Sequence, residues 1–255
     1  MFEPRGNVAR TAYAAVFAAL VAATTMALTV GIPSTKGYFN LGEVMVYTTA
    51  ILTGPYVGAL AGGVGSAISD VLLGYPVFAP GTLVVKGLEG FIVGHLYGKG
   101  DSKLVVKHWK GLTYVMGAVV FLLLAFVGLY YYAGDSMYSL DYYSVLTGGY
   151  PFSEYYYGWL ALGLLAAGGI AYRGRRAQPK MGWMALSAVA GGAAMVIGYF
   201  LYEVGPLRIP VQYALVEVPL NVGQVVIGLV GALFLSESAS AVLRKPASKI
   251  VPQRP

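Results

Sequence analysis

The sequence predicts an all-α fold: a polytopic membrane bundle of about eight transmembrane helices. Three observations predict it. Apolar residues make up 57% of the 255 positions and charged residues 11%, whereas a soluble domain carries about a quarter of its residues charged. Mean hydropathy is +0.67. Lys and Arg gather in short segments between apolar runs long enough to cross about 30 Å of hydrocarbon. With so few charges the chain cannot face water all round, and its spare apolar surface faces lipid.

The first run, Thr11–Val30, follows a basic start. It is longer than the apolar region of a cleaved signal and lacks an A-x-A site near its end, so it reads as a retained helix. Leu41–Thr53 is short for a span and is expected to be tilted, broken or shielded by neighbours. Pro55–Leu73, Gly81–Gly98, Gly111–Ala133, Tyr155–Tyr172, Gly182–Tyr202 and Tyr213–Leu235 complete the set. One membrane domain over residues 1–255 is expected, with a four-helix part at 10–98, a helix pair at 99–181, two further helices at 182–236 and a tail at 237–255.

The basic residues set the orientation. An inside N-terminus puts Arg5, Arg10, Lys99, Lys103, Lys107, Lys110, Arg173, Arg175, Arg176 and Lys180 in the cytoplasm, with Arg244, Lys245, Lys249 and Arg254. Only Lys36 and Arg208 fall in outer loops, beside Asp135, Asp141 and Glu154. This is the positive-inside asymmetry, and it predicts a cell-membrane protein with both termini cytoplasmic. The tyrosine-dense stretch Tyr130–Tyr157 reads as an interfacial belt with a folded outer loop, or as a stacking surface for a flat ligand.

Ionisable groups at membrane depth cost at least about 2.5–3.5 kcal/mol each on insertion scales, so each needs a reason. Here they are Glu43, Asp70, Lys86, Glu89 and Glu217, with Glu203 at a span end. Lys86 and Glu89 lie about 8 and about 12 Å below the outer start of their span, and Glu217 and Asn221 about 6 and about 12 Å into theirs. The polar groups of five spans thus share the outer half, which predicts a vestibule open to the outside. Lys86 and Glu89 are i, i+3 neighbours, and Glu217, Asn221 and Gln224 share one helical face. Gly62 or Gly63, Ser66 and Asp70 lie on a small-residue stripe that Gly54, Gly58 and Gly62 extend as G-x-x-x-G steps suited to close helix packing. The bland reading is that Lys86 merely neutralises a buried carboxylate. It leaves other carboxylates unexplained. His95 lies toward the inner end and reads as a packed or interfacial histidine.

Other chemistry is thin. No cysteine is present, which excludes disulfides and thiolate chemistry, and the two histidines are too few for a histidine-built metal site. No G-x-x-x-x-G-K-[ST] or H-E-x-x-H occurs. Gly63-Val64-Gly65-Ser66 with His95 is a poor match to a membrane serine protease, because the serine sits on a packing stripe and the histidine nearer the opposite side.

The stretch Gly37-Tyr38-Phe39-Asn40-Leu41-Gly42-Glu43 resembles the first outer loop and second helix of the substrate-binding S components of energy-coupling factor (ECF) transporters. Gly54-Pro55-Tyr56-Val57-Gly58-Ala59, Gly62 to Asp70, Gly74-Tyr75-Pro76, Lys86-Gly87-Leu88-Glu89-Gly90 and Glu217 to Gln224 continue the match, closest to the riboflavin-type branch. The resemblance implies a vitamin-binding membrane protein with no cofactor or ATPase of its own, docked on a transmembrane T subunit that carries two ATPases. It implies a substrate site at Asn40, Glu43, Asp70, Lys86, Glu89, Glu217 and Asn221. It also implies a docking face of first-helix alanines, here Ala14, Ala18 and Ala22 alongside Ala15, Ala19 and Ala23. Family members have six helices, so this chain is expected to insert the pair Gly111–Ala133 and Tyr155–Tyr172. Riboflavin, a thiamine precursor and pyridoxine all suit such a vestibule. A proton- or ion-coupled secondary transporter is the alternative, with Lys86, Glu89 and Asp70 as a titrating relay. An intramembrane enzyme would need a nucleophile or metal set that these residues do not assemble.

Overall fold

The computed structural model describes residues 6–32, 35–132, 156–176 and 179–243. The chain divides into two compact units, one of residues 1–100 with 183–255 and one of 101–182. Most of the tyrosine-dense stretch and the basic C-terminal tail lie outside the described residues.

The larger unit begins with α1 (Asn7–Ala27). The apolar run does not stay helical to Val30 as expected: Thr29–Ile32 forms β1, paired antiparallel with β2 (Gly37–Asn40), Thr29 opposite Asn40 and Ile32 opposite Gly37. Thr29, Val30 and Ile32 are β-branched, and Tyr38 and Phe39 are aromatic, the types that fit a pleated surface. A turn at Lys36, whose φ is 61°, closes the hairpin.

α2 (Gly42–Thr53) follows at once. Its 12 residues span only about 18 Å, and its side chains are buried along almost its whole length. It stops at Gly54, whose φ of 92° suits a residue without Cβ. Pro55 then opens α3 (Pro55–Leu72) with its preset φ. α4 (Ala79–Gly98) returns along α3. That pair is bound backbone to backbone: a Cβ on Gly63 would meet the Leu83 carbonyl at 2.6 Å, and one on Gly58 would meet the Gly90 carbonyl at 3.0 Å.

The smaller unit consists of α5 (Lys103–Tyr132) and α6 (Tyr156–Arg176), packed side by side. α7 (Pro179–Val204) returns the chain to the larger unit, and α8 (Val211–Leu243) ends the described structure. Glycines again set the spacing: a Cβ on Gly191 would meet the Glu89 carbonyl at 3.1 Å, and one on Gly198 would meet Val85 at 2.9 Å.

The larger unit buries charged groups and turns large apolar side chains outward. Glu89 is 0% exposed and Lys86 3%, while Leu72 and Val84 are 66% and 68% exposed. Water would reverse that arrangement; lipid favours it. Beside the polar groups a core of Val21, Val46, Tyr47, Ala50, Ile51, Val93, Met184, Ala188 and Ala232 packs tightly. Lipid tails are as apolar as these side chains, so close van der Waals contact rather than exclusion of water holds them together. Among the described residues α1, α7 and the Val211–Leu235 part of α8 are long and apolar enough to cross a membrane. In α3 and α4, glycines and charged residues dilute the apolar content.

Candidate functional site

A cleft in the larger unit is lined by α1, β2, α3, α4, α7 and α8. Of the seven expected site residues, Asn40, Asp70, Lys86, Glu217 and Asn221 border it. Glu43 and Glu89 stand behind them, and Lys86 forms an ion pair with each, at 3.2 Å to Glu89 Oε2. The Tyr47 hydroxyl donates to Glu89 Oε1 at 2.9 Å. Lys86 is therefore shared between two carboxylates, one a turn away on its own helix and one on α2.

The hairpin supplies another wall. The Thr35 hydroxyl donates to Glu217 Oε1, and a Cβ on Gly37 would meet Glu217 Cδ at 3.1 Å. The Asn40 backbone N–H donates to Gln224 Oε1 at 3.1 Å, and Gln224 Nε2 donates to Asn221 Oδ1 at 2.8 Å. Asn40 Oδ1 accepts from the Gly42 N–H at 2.8 Å, which fixes the side chain at the entrance to α2. Tyr38 donates to Asp70 Oδ1 at 2.5 Å and lies against Tyr75, ring centroids 4.6 Å apart. Burial first, and then the Asp70 charge beside it, push the Tyr38 phenol up from its ordinary value, so it remains a donor.

Sequence reasoning missed Tyr38, Thr82, Tyr199, Thr25, Ser66 and Phe78 as wall residues. Tyr199 donates to Thr82 Oγ1 at 3.0 Å, and its ring lies 5.6 Å from Lys86 Nζ. The signal for Ser66 and Thr82 was spacing, since each stands one turn from a charged site residue. Nothing local marks Tyr199 among the aromatic residues of its apolar helix. Glu203 is fully buried against Glu217.

Two polar atoms at the cleft have no close hydrogen-bond partner among the described residues: Asp70 Oδ2 and Thr25 Oγ1. Burying such atoms unpaired costs about 1–3 kcal/mol each, a cost a ligand with matching groups would offset. The expected open vestibule is a narrow cleft here. Its interior free volume is about 30 Å³, room for water but not for a ring system.

The expected alanine face divides. Ala14 and Ala22 are buried and Ala18 partly so, with the Ser69 hydroxyl 3.3 Å from the Ala22 carbonyl. Ala15, Ala19 and Ala23 are exposed. Residues four apart share one helix face, so the two rows point in different directions; the first packs against α3, and only the second is open to a partner. His95 is exposed and stacks on Phe91, ring centroids 5.7 Å apart.

A family model described as ECF-type riboflavin transporter, S component, matches residues 6–147, more than half of the chain. The chain belongs to that family. This S component also resembles a protein of Pyrococcus woesei, described as an uncharacterized protein in gap 3′ region, with 46% identity over 103 residues. The match covers 39% of this chain and 68% of that one. The family is one of transporter components rather than enzymes, and the chain is the substrate-binding component of a vitamin uptake system. Such an S component works in the membrane with a T subunit and ATPases.

Proposed function

We propose that the cleft is the vitamin site and that Asn40, Asp70, Lys86, Glu217 and Asn221 contact the ligand, with Glu43 and Glu89 holding Lys86 in place. The observation that carries this reading is that Thr25 Oγ1 and Asp70 Oδ2, on a carboxyl that also has the Thr82 hydroxyl nearby, lack a close hydrogen-bond partner at the cleft among the described residues. A carboxylate oxygen without a close donor, beside other polar groups, has capacity to accept from a ligand.

The charges favour a ligand class. Glu43 and Glu89 already neutralise Lys86, while the Asp70 and Glu217 carboxyls line the cleft beside it. A phosphate would meet carboxylates. A neutral or cationic heterocycle rich in N–H and O–H donors would pair with them. Riboflavin, the vitamin of the matched family, has that character through its ring imide and its hydroxylated chain. A ring system needs more room than the cleft offers, so we propose that the β1–β2 hairpin moves aside to admit it.

The membrane arrangement we propose is the one that the basic residues favour: both termini cytoplasmic, about eight spans, and the cleft open to the outer face. In this reading 10–98 and 182–236 make a six-helix core within a single membrane domain, and 99–181 is an inserted pair. Ala15, Ala19 and Ala23 make the face that meets the T subunit.

The test is calorimetric titration of the purified chain in mild detergent with riboflavin, thiamine, pyridoxine and riboflavin 5′-phosphate. Saturable one-to-one binding of an unphosphorylated vitamin is expected, with the phosphate ester at least about tenfold weaker. No saturable binding of any of them would overturn the reading. Uptake by the chain alone in vesicles, collapsed by a protonophore, would favour the coupled-transporter alternative.

A further inference from the structure

The 101–182 unit carries a cavity of its own. α5 and α6 run antiparallel, held close where a Cβ on Gly117 would meet the Ala167 carbonyl at 3.0 Å and one on Gly163 would meet Phe121 at 3.1 Å. Toward the basic end of the pair, Lys110 and Tyr114 from α5 and Tyr172, Arg175 and Arg176 from α6 line a cavity of about 480 Å³.

No carboxylate lines it, and none of its three cations forms an ion pair among the described residues. The acid at this end of the unit is already used: Asp101 accepts from Lys180 at 2.6 Å. The arginines are nonetheless held in place. Arg176 lies 4.2 Å from the Tyr172 ring centroid and donates to the Tyr172 hydroxyl at 2.5 Å. Arg175 lies 5.7 Å from the Tyr114 ring and donates through Nε to the Ala171 carbonyl at 3.2 Å. Three like charges converging on one space repel each other, and an anion within it would turn that repulsion into attraction. Guanidinium forks beside an ammonium suit phosphate oxygens.

The surroundings indicate which phosphate. One or two turns from the cavity the outward side chains become apolar: Val115, Val119 and Leu122 on α5, and Leu164 and Leu165 on α6, are all exposed. Tyr114 and Tyr172 are half exposed at that boundary, where a phenol meets both hydrocarbon and headgroups. A molecule with an anionic head and acyl chains touches both surfaces at once; a soluble phosphate touches one. We infer that this cavity binds the phosphate headgroup of an anionic membrane lipid, which anchors the helix pair at the bilayer interface.

Native mass spectrometry of the full chain in mild detergent tests this, with phosphatidylglycerol and phosphatidylcholine added at equal concentration. Wild type should retain phosphatidylglycerol preferentially, each of Lys110→Gln, Arg175→Gln and Arg176→Gln should cut the preference about fivefold, and the triple variant should abolish it. Far-ultraviolet circular dichroism checks the helices. Should the triple variant not fold, wild type alone decides: the preference should collapse at about 0.5 M salt. Equal retention by wild type and triple variant, or a preference indifferent to salt, overturns the inference. So does displacement of the lipid by equimolar glycerol 3-phosphate or inorganic phosphate, which would make this a site for soluble phosphate.

Discussion

At the scale of single residues, Lys86 decides most. Its ammonium is buried between Glu43 and Glu89, and Tyr47 braces Glu89 from behind. Removing one member of a buried ion pair strands its partners and costs about 3–5 kcal/mol. Lys86→Met is therefore expected to lower the unfolding temperature in detergent steeply, read by tryptophan fluorescence. Lys86→Met with Glu43→Gln and Glu89→Gln should recover at least about 1 kcal/mol of the loss, because the stranded charges go with it. Asp70→Asn differs. The amide oxygen still accepts from Tyr38, so the fold should hold, while vitamin Kd rises at least about tenfold because a charged acceptor at the cleft is lost. An unchanged Kd would remove Asp70 from the site.

At the scale of elements, the α3–α4 pair and the hairpin carry the argument. Gly63 faces the Leu83 carbonyl so closely that a methyl group does not fit without shifting backbone. Gly63→Ala should cost about 1–3 kcal/mol as overpacking, read as a lower unfolding temperature. It should also weaken vitamin binding, since α3 and α4 carry Asp70 and Lys86 across that seam. The hairpin closes on α8 through Thr35 and Glu217, with Gly37 leaving space for the carboxylate. Gly37→Val should hold the hairpin off α8. Vitamin off-rates measured by stopped flow are then expected to rise, with little change in helix content by circular dichroism.

At the scale of the molecule, the question is which surface meets the partner. Ala15, Ala19 and Ala23 form an exposed row on α1, while Ala14 and Ala22 are packed inward. Ala15→Leu, Ala19→Leu and Ala23→Leu together should leave vitamin binding intact, because the added bulk faces outward. Co-purification with the T subunit should be lost, since close helix contact needs a smooth face. Ala14→Leu with Ala22→Leu should instead lower the unfolding temperature. If both sets impair assembly equally at unchanged stability, the exposed row is not the docking surface.

Composition alone determined that this chain lives in a membrane: too few charges to cover a water-facing surface leave no other solvent for it. Apolar runs marked the helices, and the cost of charge in hydrocarbon singled out Glu43, Asp70, Lys86, Glu89 and Glu217 before any neighbour was known, with Asn221 added by its place on the Glu217 face. Helical spacing could pair Lys86 with Glu89, because one turn separates them. It could not pair Lys86 with Glu43, Tyr38 with Asp70 or Thr35 with Glu217, which meet only when distant segments pack. The hairpin escaped notice because a strand's ladder depends on a partner strand, and Thr29 and Val30 read equally well as the end of an apolar helix. The two alanine rows looked alike because periodicity shows which residues share a face but not what that face meets. Rotation of α1 against α3 decided it.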